Sequence, residues 1–247
     1  QNLPDSANAS RMEEAPGMFS YVLRWLISAL FHLISRFRVE GREHLPKHGP
    51  AIIVLNHMSY VDSVLLFSLI GAPHVSAWVA AEYQKNPFFG LIARMGRAVF
   101  IRRGKVDREA LDKAIQHLNN GGIFGVAPEG TRSKTGSLQR AKTGAAFLAT
   151  QSGAPITPVA VSGTETFFHD LKHFKRPAVT FRIGPSFTLP KPSPEQEQNL
   201  RERTRFLRDQ SDEIMLHIAA MLPPRYHGYY REQMNAVYRQ DPEEHST

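Results

Sequence analysis

The stretch "PAIIVLNHMSYVDSVLLFSLI", residues 50–70, places an unbroken apolar run before a short polar turn and a second apolar run. The first run predicts a buried strand that ends near residue 57, and the second predicts a helix over residues 59–70. The polar turn between them carries His57 and Asp62. A strand that leads directly into a helix is the repeating unit of an α/β fold.

This stretch alone leaves two interpretations of the turn open. Ser59 and Asp62 have the spacing of a capping box, so Asp62 could serve only to satisfy amide donors at the start of the helix. His57 and Asp62 are five residues apart, about 140° around a helix axis, so they cannot share a helix face. They can meet if His57 lies in the turn and folds back over the first turn of the helix, which would form a His–Asp pair.

The rest of the chain repeats the alternation of strand and helix. Further strands are predicted at residues 74–81, 97–103, 123–127, 155–163 and 178–183. Further helices are predicted at residues 87–96, 106–122, 138–153 and 195–221. Gly153 and the pair Pro223-Pro224 end the last two helices, and residues 167–177 are assigned to a loop. This order predicts an α/β fold with a mixed, mostly parallel central sheet flanked by helices.

The segment "MFSYVLRWLISALFHLISRF", residues 18–37, predicts an amphipathic helix. A polar residue recurs there at every fourth position, at Ser20, Arg24, Ser28, His32 and Arg36. The segment almost reaches the roughly 20 apolar residues that span a bilayer, but Arg24 would be costly in hydrocarbon. We therefore expect a helix that lies in the membrane interface. Four residues are expected near the lipid headgroups: Trp25, Arg36, Arg38 and Arg42. The alternative is a helix that packs on its own domain.

The composition limits the possible functions. The 247 residues include 30 Lys and Arg against 23 Asp and Glu, a net charge of +7, which favours an anionic partner. No cysteine is present, so a thiolate nucleophile and a cysteine metal site are excluded. The chain has no Gly-x-Ser-x-Gly elbow and no phosphate-binding Gly-x4-Gly-Lys loop, which argues against a serine hydrolase and an NTPase.

Three more stretches carry polar residues at predicted strand ends. "RAVFIRRG", residues 97–104, offers arginines suited to phosphate, or a basic sheet edge. "APEGTRSKTG", residues 127–136, would present Glu129 and Arg132 where α/β ligand sites usually lie, or is a plain surface turn. "APITPVAVSG", residues 154–163, could shape an apolar channel or mark an edge strand. His169 and His173 have the spacing of metal ligands, but surface histidines explain them better, so no metal site is predicted.

Taken together, these stretches resemble the glycerolipid acyltransferase family, in which the lysophosphatidate acyltransferases are best known. Its four blocks stand in order: NHxxxxD at 56–62, Phe-Ile-x-Arg at 100–103, EGTRS at 129–133 and a proline-bearing apolar strand at 155–159. The resemblance spans about residues 38–190 and implies a glycerol-phosphate acyltransferase-like fold. Together with the composition and periodicity of the N-terminal segments, it divides the chain into a disordered tail (1–17), the amphipathic membrane helix (18–37), the acyltransferase domain (38–222) and a C-terminal tail (223–247).

The resemblance implies acyl transfer from an acyl-CoA or acyl-carrier-protein thioester to the hydroxyl of lysophosphatidate, giving phosphatidate for phospholipid biosynthesis. His57 would be the base and Asp62 would orient it, with no cofactor and no metal. The implied substrate-binding residues are Asn56, Arg102, Arg103, Glu129, Gly130, Thr131, Arg132 and Lys142. Arg103 and Arg132 would hold the acceptor phosphate. Many members have a lysine where this chain has Ala81, before Glu82, so Arg102 or Lys142 would replace that lysine.

The implied partners are a membrane surface with anionic lipids, a lysophospholipid and the acyl donor, and the implied location is the cytoplasmic face of a membrane. Nucleic acid is not expected, because acidic and basic residues are interleaved. Three alternatives stay open: acylation of another lysophospholipid or amphiphilic alcohol, a non-catalytic basic membrane-binding module, and a lipid esterase with Ser59 or Ser133 as nucleophile.

Overall fold

A computed structural model describes residues 18–70, 74–85, 90, 98–101 and 107–240. In this part of the chain the helices are α1 (Met18–Ile34), α2 (Val61–Leu69), α3 (Arg108–Asn119), α4 (Gly144–Ser152), α5 (Phe167–Lys172), α6 (Pro194–Gln198), α7 (Leu200–Ala220) and α8 (Arg231–Gln240). The strands are β1 (Arg36–Glu40), β2 (Ala51–Leu55), β3 (Val75–Ala80), β4 (Val99–Ile101), β5 (Ile123–Val126), β6 (Ile156–Ser162) and β7 (Ala178–Ile183).

The described strands form one seven-stranded sheet in the order β1-β7-β6-β2-β5-β3-β4. Every neighbouring pair is parallel except β6 and β7, which run antiparallel. In the central register, Ile53 of β2 lies between Gly125 of β5 and Thr157 of β6. The prediction of an α/β fold with a mixed, mostly parallel sheet is therefore confirmed.

The central strands are apolar because both faces of the sheet are covered. Ile52 and Val54 of β2 pack on one face, into a core shared with α3, α4 and α7. Ile53 and Leu55 point to the other face, into a core shared with α1 and α2. The alternation of strand side chains thus divides a continuous apolar run between two cores. Helices on both faces leave the carboxyl ends of β2, β5 and β6 together at one edge, where α/β sheets bind their ligands.

Helix α1 packs on the domain, and part of its polar stripe faces inward. Arg24 is buried, its guanidinium donates a hydrogen bond to the carbonyl of Ile70, and it lies 4.6 Å from the ring centre of Phe67. Burial lowers the pKa of Arg24 below its ordinary value. The outward face carries large apolar side chains instead: Tyr21, Val22, Trp25, Leu26, Leu30 and Leu33. The helix thus packs on its own domain and leaves an apolar surface exposed.

No helix in the described ranges is long and apolar enough to cross a membrane. Helix α1 has 17 residues, slightly fewer than the span predicted for it.

The predicted helix over residues 138–153 is too long at its start. The structure begins α4 at Gly144 and ends it at Gly153, which adopts a left-handed conformation. The backbone amides before α4 are instead taken by tertiary partners. Leu138 donates to the carbonyl of Tyr226, and Ala141 donates to the hydroxyl of Tyr230. A helix that began at residue 138 would make its first internal hydrogen bond through the amide of Lys142, but this amide donates to the carbonyl of Pro128 instead.

Two more elements differ from the prediction. Residues 167–172, assigned to a loop, form α5, whose Phe167 is buried in the core around α1. The long helix predicted over residues 195–221 is divided into α6 and α7 at Asn199, whose backbone is extended. The Asn199 side chain accepts hydrogen bonds from the amides of Arg201 and Glu202, so it caps α7 and separates the two helices.

The segment after residue 222, which the sequence leaves outside the main domain, packs into it. Two short 3-10 turns, Pro224–Tyr226 and Gly228–Tyr230, lead into α8. Tyr226, Tyr230 and Met234 are buried in the core around α3, α4 and α7. The tail predicted over residues 1–17 and the helix predicted over 87–96 lie outside the described residues, apart from the single helical Gly90.

Candidate active site

His57 and Asp62 meet in the turn between β2 and α2. The helix begins at Val61, so His57 lies before it and folds back over its first turn. The distance between His57 Nδ1 and Asp62 Oδ2 is 3.0 Å. The same Oδ2 accepts hydrogen bonds of 2.7 Å from the amides of Met58 and Ser59. The Asp62 carboxylate therefore caps the turn and contacts the imidazole at the same time. The capping role and the His–Asp pair, which the sequence left as alternatives, are both present.

The Asp62 contact selects one tautomer of the neutral imidazole. A carboxylate only accepts hydrogen bonds, so Nδ1 of a neutral His57 carries the proton and Nε2 is left with its lone pair. Asp62 is fully buried, whereas the side chain of His57 retains 17% of its exposure and lines a large cavity. This geometry suits a base that takes a proton from a group bound in the cavity.

The backbone of His57 is also held, by the loop that follows β5. The amide of His57 donates a 2.9 Å hydrogen bond to Glu129 Oε1, and its carbonyl accepts one of 2.7 Å from the amide of Ser133. These contacts form because β2 and β5 are adjacent and parallel, so the loops at their carboxyl ends meet. The EGTRS loop thus positions the histidine through main-chain contacts.

Glu129 is almost completely buried, with 2% of its surface exposed. Its second oxygen, Oε2, accepts a 2.9 Å hydrogen bond from the amide of Gln139. Burial raises the pKa of Glu129 from 4.5 to about 7, although the two amide donors act in the opposite direction. The side chain therefore connects His57 to the segment before α4, and it is not among the described residues that line the cavity.

Asn56 occupies a structural position rather than the substrate-facing one that the sequence predicts. Its side chain is fully buried, its Nδ2 donates to the carbonyl of Val161, and its Oδ1 accepts from the amide of the same residue. These bonds, of 2.8 and 2.7 Å, continue the pairing of β2 with β6 past the end of the strand. Asn56 therefore fixes the start of the turn that carries His57.

Gly130, Thr131 and Lys142, three of the predicted substrate-binding residues, line the cavity. Gly130 has a positive φ of 69°, and a Cβ atom there would lie 2.8 Å from Cδ of Lys142. The positive φ favours glycine here, whereas the flexible Lys142 side chain could move away from a Cβ atom. The Lys142 side chain thus crosses directly over the EGTRS loop, at the mouth of the cavity.

Arg132 stacks on an aromatic ring beside the catalytic turn. Its guanidinium carbon lies 3.5 Å from the ring centre of Tyr60, and Tyr60 lines the cavity next to His57. Tyr83 lies edge-on to Tyr60, with ring centres 5.8 Å apart. The sequence identifies Arg132 but gives no sign of its aromatic support. Arg102 and Arg103 lie outside the described residues.

A cavity of about 1,110 Å³ extends from His57 into the domain. Its deeper wall is mainly apolar and comes from β3, β5, α2, α3 and α4, with Phe67, Val75, Trp78, Leu111 and Phe147 among its lining residues. The indole of Trp78 donates a 3.3 Å hydrogen bond to the carbonyl of Ala110 and meets the ring of Phe124 edge-on. The cavity is therefore a polar mouth at His57 joined to an apolar interior.

The two serines considered as nucleophiles do not face this cavity. The hydroxyl of Ser133 donates to the carbonyl of Ser137 at 2.7 Å, and Ser59 is buried in the turn. Neither is among the described residues that line the cavity. In the described ranges, no group of three or more His, Asp or Glu side chains is arranged to hold a metal ion. His169 of α5 and His173, which follows that helix, are both exposed, and their ring centres lie 4.3 Å apart.

Some functional contacts could not be read from the sequence. Ser133 and Gln139 act through main-chain amides, which every residue type except proline carries, so no side-chain pattern reveals them. Tyr60 immediately precedes α2 and Tyr83 follows β3, and their rings contact each other although they are distant in sequence. Their aromatic character is the only sequence signal, and it is equally typical of a core.

The comparisons with known proteins agree with this geometry. Residues 36–162 match the family described as "Acyltransferase". The 1-acyl-sn-glycerol-3-phosphate acyltransferase of Borreliella burgdorferi is 28% identical over 177 residues, 70% of this chain and 68% of that protein. The enzyme of the same name from Saccharomyces cerevisiae is 30% identical over 59% of this chain. The match spans only 51% of the yeast protein and 56% of a human relative.

A solved structure also resembles the fold. The crystal structure of the 1-acyl-sn-glycerophosphate (LPA) acyltransferase PlsC from Thermotoga maritima aligns with a TM-score of 0.61 and 25% identity, covering 89% of this chain and 84% of that one. The family match covers β1 to β6 and both loops that build the His57 site. On the family match and on the geometry of its His57–Asp62 pair, the chain belongs to the acyltransferase family and is an O-acyltransferase.

Proposed function

We propose that this enzyme transfers a fatty acyl group from a thioester donor to the free hydroxyl of lysophosphatidate, giving phosphatidate. The observation that carries the proposal is the imidazole of His57, oriented by buried Asp62 and open to a cavity with an apolar interior. The names of the Borreliella, yeast and Thermotoga relatives support lysophosphatidate as the acceptor.

The proposed reaction needs no nucleophile from the protein. Nε2 of His57 takes the proton of the acceptor hydroxyl as its oxygen attacks the thioester carbonyl. The tetrahedral intermediate then collapses, the carbon–sulfur bond breaks, and the imidazolium returns its proton to the leaving thiolate. Asp62 holds the ring in place and stabilises its charged form. The substrate hydroxyl thus takes the place that a serine has in a hydrolase.

We assign the two parts of the cavity to different groups of the substrates: the apolar interior to the fatty acyl chain and the basic mouth to the acceptor phosphate. The apolar interior near Trp78 suits a fatty acyl chain, because its burial there removes apolar surface from water. Lys142 lines the cavity, and Arg132 stacks on Tyr60, which lines it as well, so both cations suit the acceptor phosphate. Arg132 is held against Tyr60 with its planar face covered, which leaves its N–H edge to bind phosphate oxygens.

The exposed apolar face of α1 supports association with a membrane, where lysolipid and product reside. Trp25 is 67% exposed and Leu33 is 74% exposed, and both lie on the side of the helix that points away from the domain. A surface helix of this kind can insert its apolar face into the headgroup region. The net charge of +7 favours a membrane with anionic lipids.

The test is release of the donor thiol in the presence of lysophosphatidate. His57→Ala should lower kcat by at least about a thousandfold, because it removes the base. His169→Ala is the matched control, since His169 is an exposed histidine on α5, and it should keep wild-type activity. Equal activity of His57→Ala and wild type would refute the proposed mechanism.

A lysophospholipid with a different headgroup is the second candidate acceptor. The residue before Glu82 is Ala81, where the resemblance leads to a lysine, so this chain lacks a cation at that position. An acceptor screen with one acyl donor separates the two candidates. A requirement for a terminal phosphate monoester supports lysophosphatidate, and equal rates without that phosphate would contradict the roles of Arg132 and Lys142.

A further inference from the structure

A second basic surface lies beside the active-site cavity. It is a groove of about 520 Å³ between the start of α7 and the segment that precedes α4, lined by Arg140, Leu200, Arg201, Thr204, Arg205 and Arg208. Leu200, Thr204 and Arg208 also line the active-site cavity, so the groove is continuous with it. We call this surface the arginine groove.

In the described part of the chain, the charges of the arginine groove are not neutralised by acidic side chains. Four of its six lining residues are arginines, and none is acidic. Among the described residues, none of these arginines forms an ion pair with a carboxylate within 4 Å. Arg208 donates to the carbonyl of Ala141, and Arg140 lies 5.7 Å from the ring centre of Tyr229. These contacts orient two of the guanidinium groups without reducing their charge.

The proposed reaction leaves these cations without a use, because the acceptor phosphate is assigned to Arg132 and Lys142 near His57. A thioester donor brings its own anionic groups, which lie at the end far from the reacting carbonyl. A phosphate monoester carries about −1.5 to −2 charges near neutral pH, and arginine forks bind such groups with paired hydrogen bonds. The groove is therefore placed for the phosphates of the donor.

We propose that the arginine groove binds the adenosine 3′,5′-bisphosphate end of an acyl-CoA donor, whose pantetheine arm enters the cavity over Leu200 and Thr204. This inference rests on the proposed function, because it assigns the donor of that same reaction. It selects acyl-CoA from the two thioester donors that the family resemblance leaves open.

The surroundings of the groove favour a narrow phosphorylated ligand over a broad acidic surface. Glu195 and Glu197 lie exposed on α6, and Glu202 and Asp209 lie exposed on α7. These carboxylates would repel an acidic carrier protein or an anionic lipid surface that covered the whole region. A nucleotide bisphosphate that lies along this shallow groove contacts the arginines and leaves the flanking carboxylates in water.

The experiment is calorimetric binding of free CoA to the full chain, with Arg201→Gln/Arg205→Gln compared with wild type. Both arginines are exposed, so the fold should be retained. We expect the Kd for CoA to rise at least about tenfold, because two cations that bind its phosphates are removed. Arg231→Gln/Arg239→Gln removes the same charge from exposed sites on α8, outside the groove, and should leave the Kd within about twofold of wild type.

Shortened donors locate the contact. Adenosine 3′,5′-bisphosphate should bind wild type and lose affinity in Arg201→Gln/Arg205→Gln. In turnover, that variant should raise KM for acyl-CoA at least about tenfold and leave KM for an acyl-pantetheine thioester unchanged, because the latter has no nucleotide.

Three results would overturn the inference: an unchanged Kd for CoA in the groove variant, an equal loss for acyl-pantetheine, or loss only of binding to phosphatidylglycerol vesicles. The last result would assign the groove to the membrane. Because CoA binding is measured without an acceptor, the proposed lysophosphatidate activity can fail while the groove assignment stands, and the reverse also holds.

Discussion

The residue His57 is held at three atoms by three different partners. Its imidazole contacts Asp62, its amide donates to Glu129, and its carbonyl accepts from Ser133. A base held in this way needs little rearrangement to reach the substrate, so a large part of its efficiency comes from orientation. This arrangement separates the residues that set the position of the base from those that touch substrate.

Asp62→Asn should retain the fold and lose most of the activity. An asparagine can still accept from the amides of Met58 and Ser59 through its carbonyl oxygen, but it supplies no charge to stabilise the imidazolium. We expect kcat to fall by about a thousandfold or more, with KM for the acyl donor little changed.

The measurement is steady-state kinetics together with the urea midpoint of each protein. Asp170→Asn is the control, since Asp170 lies on α5 away from the cavity and bonds Thr166. A kcat within about threefold of wild type in Asp62→Asn would contradict the role of the carboxylate.

Glu129→Gln should change both activity and the pH dependence of stability. The pKa of Glu129 is raised from 4.5 to about 7 in the folded state, so folding favours the protonated form. The contribution of Glu129 protonation to the free energy of unfolding is fully present below about pH 4.5 and is lost as the pH rises through 7. Wild type should therefore lose about 2 to 3 kcal/mol of unfolding free energy over this range relative to Glu129→Gln.

Urea unfolding between pH 5 and about pH 8 measures this difference, and Glu43→Gln, at an exposed residue, should follow the wild-type curve. Glu129→Gln should also lower kcat, because an amide has one accepting oxygen while the amides of His57 and Gln139 each need one. Parallel curves for wild type and Glu129→Gln would exclude the raised pKa.

At this scale the sequence predicts side chains better than their partners. His57 and Asp62 can be recognised because their chemistry and spacing are local. The roles of Asn56 and Glu129 cannot, because each acts on the backbone of a neighbouring strand or loop. The sequence predicts both residues at the substrate, and both instead lie behind the residues that face it.

At the scale of elements, β3 and β5 together shape the interior of the cavity. Gly125 of β5 leaves open the space that a side chain would fill, since its nearest neighbour on that side is Cβ of Ala77, 3.4 Å from an added Cβ. Trp78 occupies the adjoining wall, and an added Cβ at Gly144 of α4 would lie 3.3 Å from its ring. The Trp78 indole thus occupies wall space next to two glycines, and a smaller side chain at this position would enlarge the cavity.

Trp78→Leu should shift the enzyme toward longer acyl chains. The smaller side chain extends the apolar cavity, and each methylene group that becomes buried contributes about 0.8 kcal/mol. We expect the ratio of kcat/KM for stearoyl over myristoyl donor to rise about tenfold. Trp25→Leu, at the exposed tryptophan of α1, is the matched control, and an unchanged ratio in Trp78→Leu would place the acyl chain elsewhere.

The strands are predicted with greater accuracy than the helix boundaries. Continuous apolar runs identify the central strands, because a strand buried on both faces carries few polar residues. The start of α4 and the break at Asn199 are missed, since both depend on hydrogen bonds to distant or capping groups. The four-residue polar periodicity of α1 is correct as a pattern, but it does not reveal that Arg24 faces α2.

At the scale of the whole molecule, one face of α1 packs on the catalytic domain and the opposite face is exposed. Arg24 binds the carbonyl of Ile70, which follows the helix that carries Asp62. The opposite face of α1 is apolar and exposed. Any membrane contact through that face would therefore be one helix away from the catalytic turn.

Leu30→Glu/Leu33→Glu should weaken binding to lipid vesicles and leave turnover of a dispersed acceptor nearly unchanged. These leucines are 52% and 74% exposed, so the fold does not depend on them. Burial of a leucine side chain contributes about 1.5 to 3 kcal/mol, so the partition coefficient should fall at least about a hundredfold. Gln233→Glu/Asn235→Glu adds the same charge to exposed positions of α8 as the control, measured by vesicle sedimentation. Equal sedimentation of both variants would remove α1 from the membrane contact.

Two tyrosines of the C-terminal segment hold parts of the catalytic domain in place. The hydroxyl of Tyr226 accepts from the amide of Gly163, and that of Tyr230 accepts from the amide of Ala141. Residues far beyond the 36–162 family match thus hold the chain on both sides of α4. A shorter expression fragment that ends at Ser162 would contain every recognisable motif and yet lack β7, α7 and both tyrosines. It would expose the apolar core that these elements cover, so we expect the family match alone to be too short for an expression fragment.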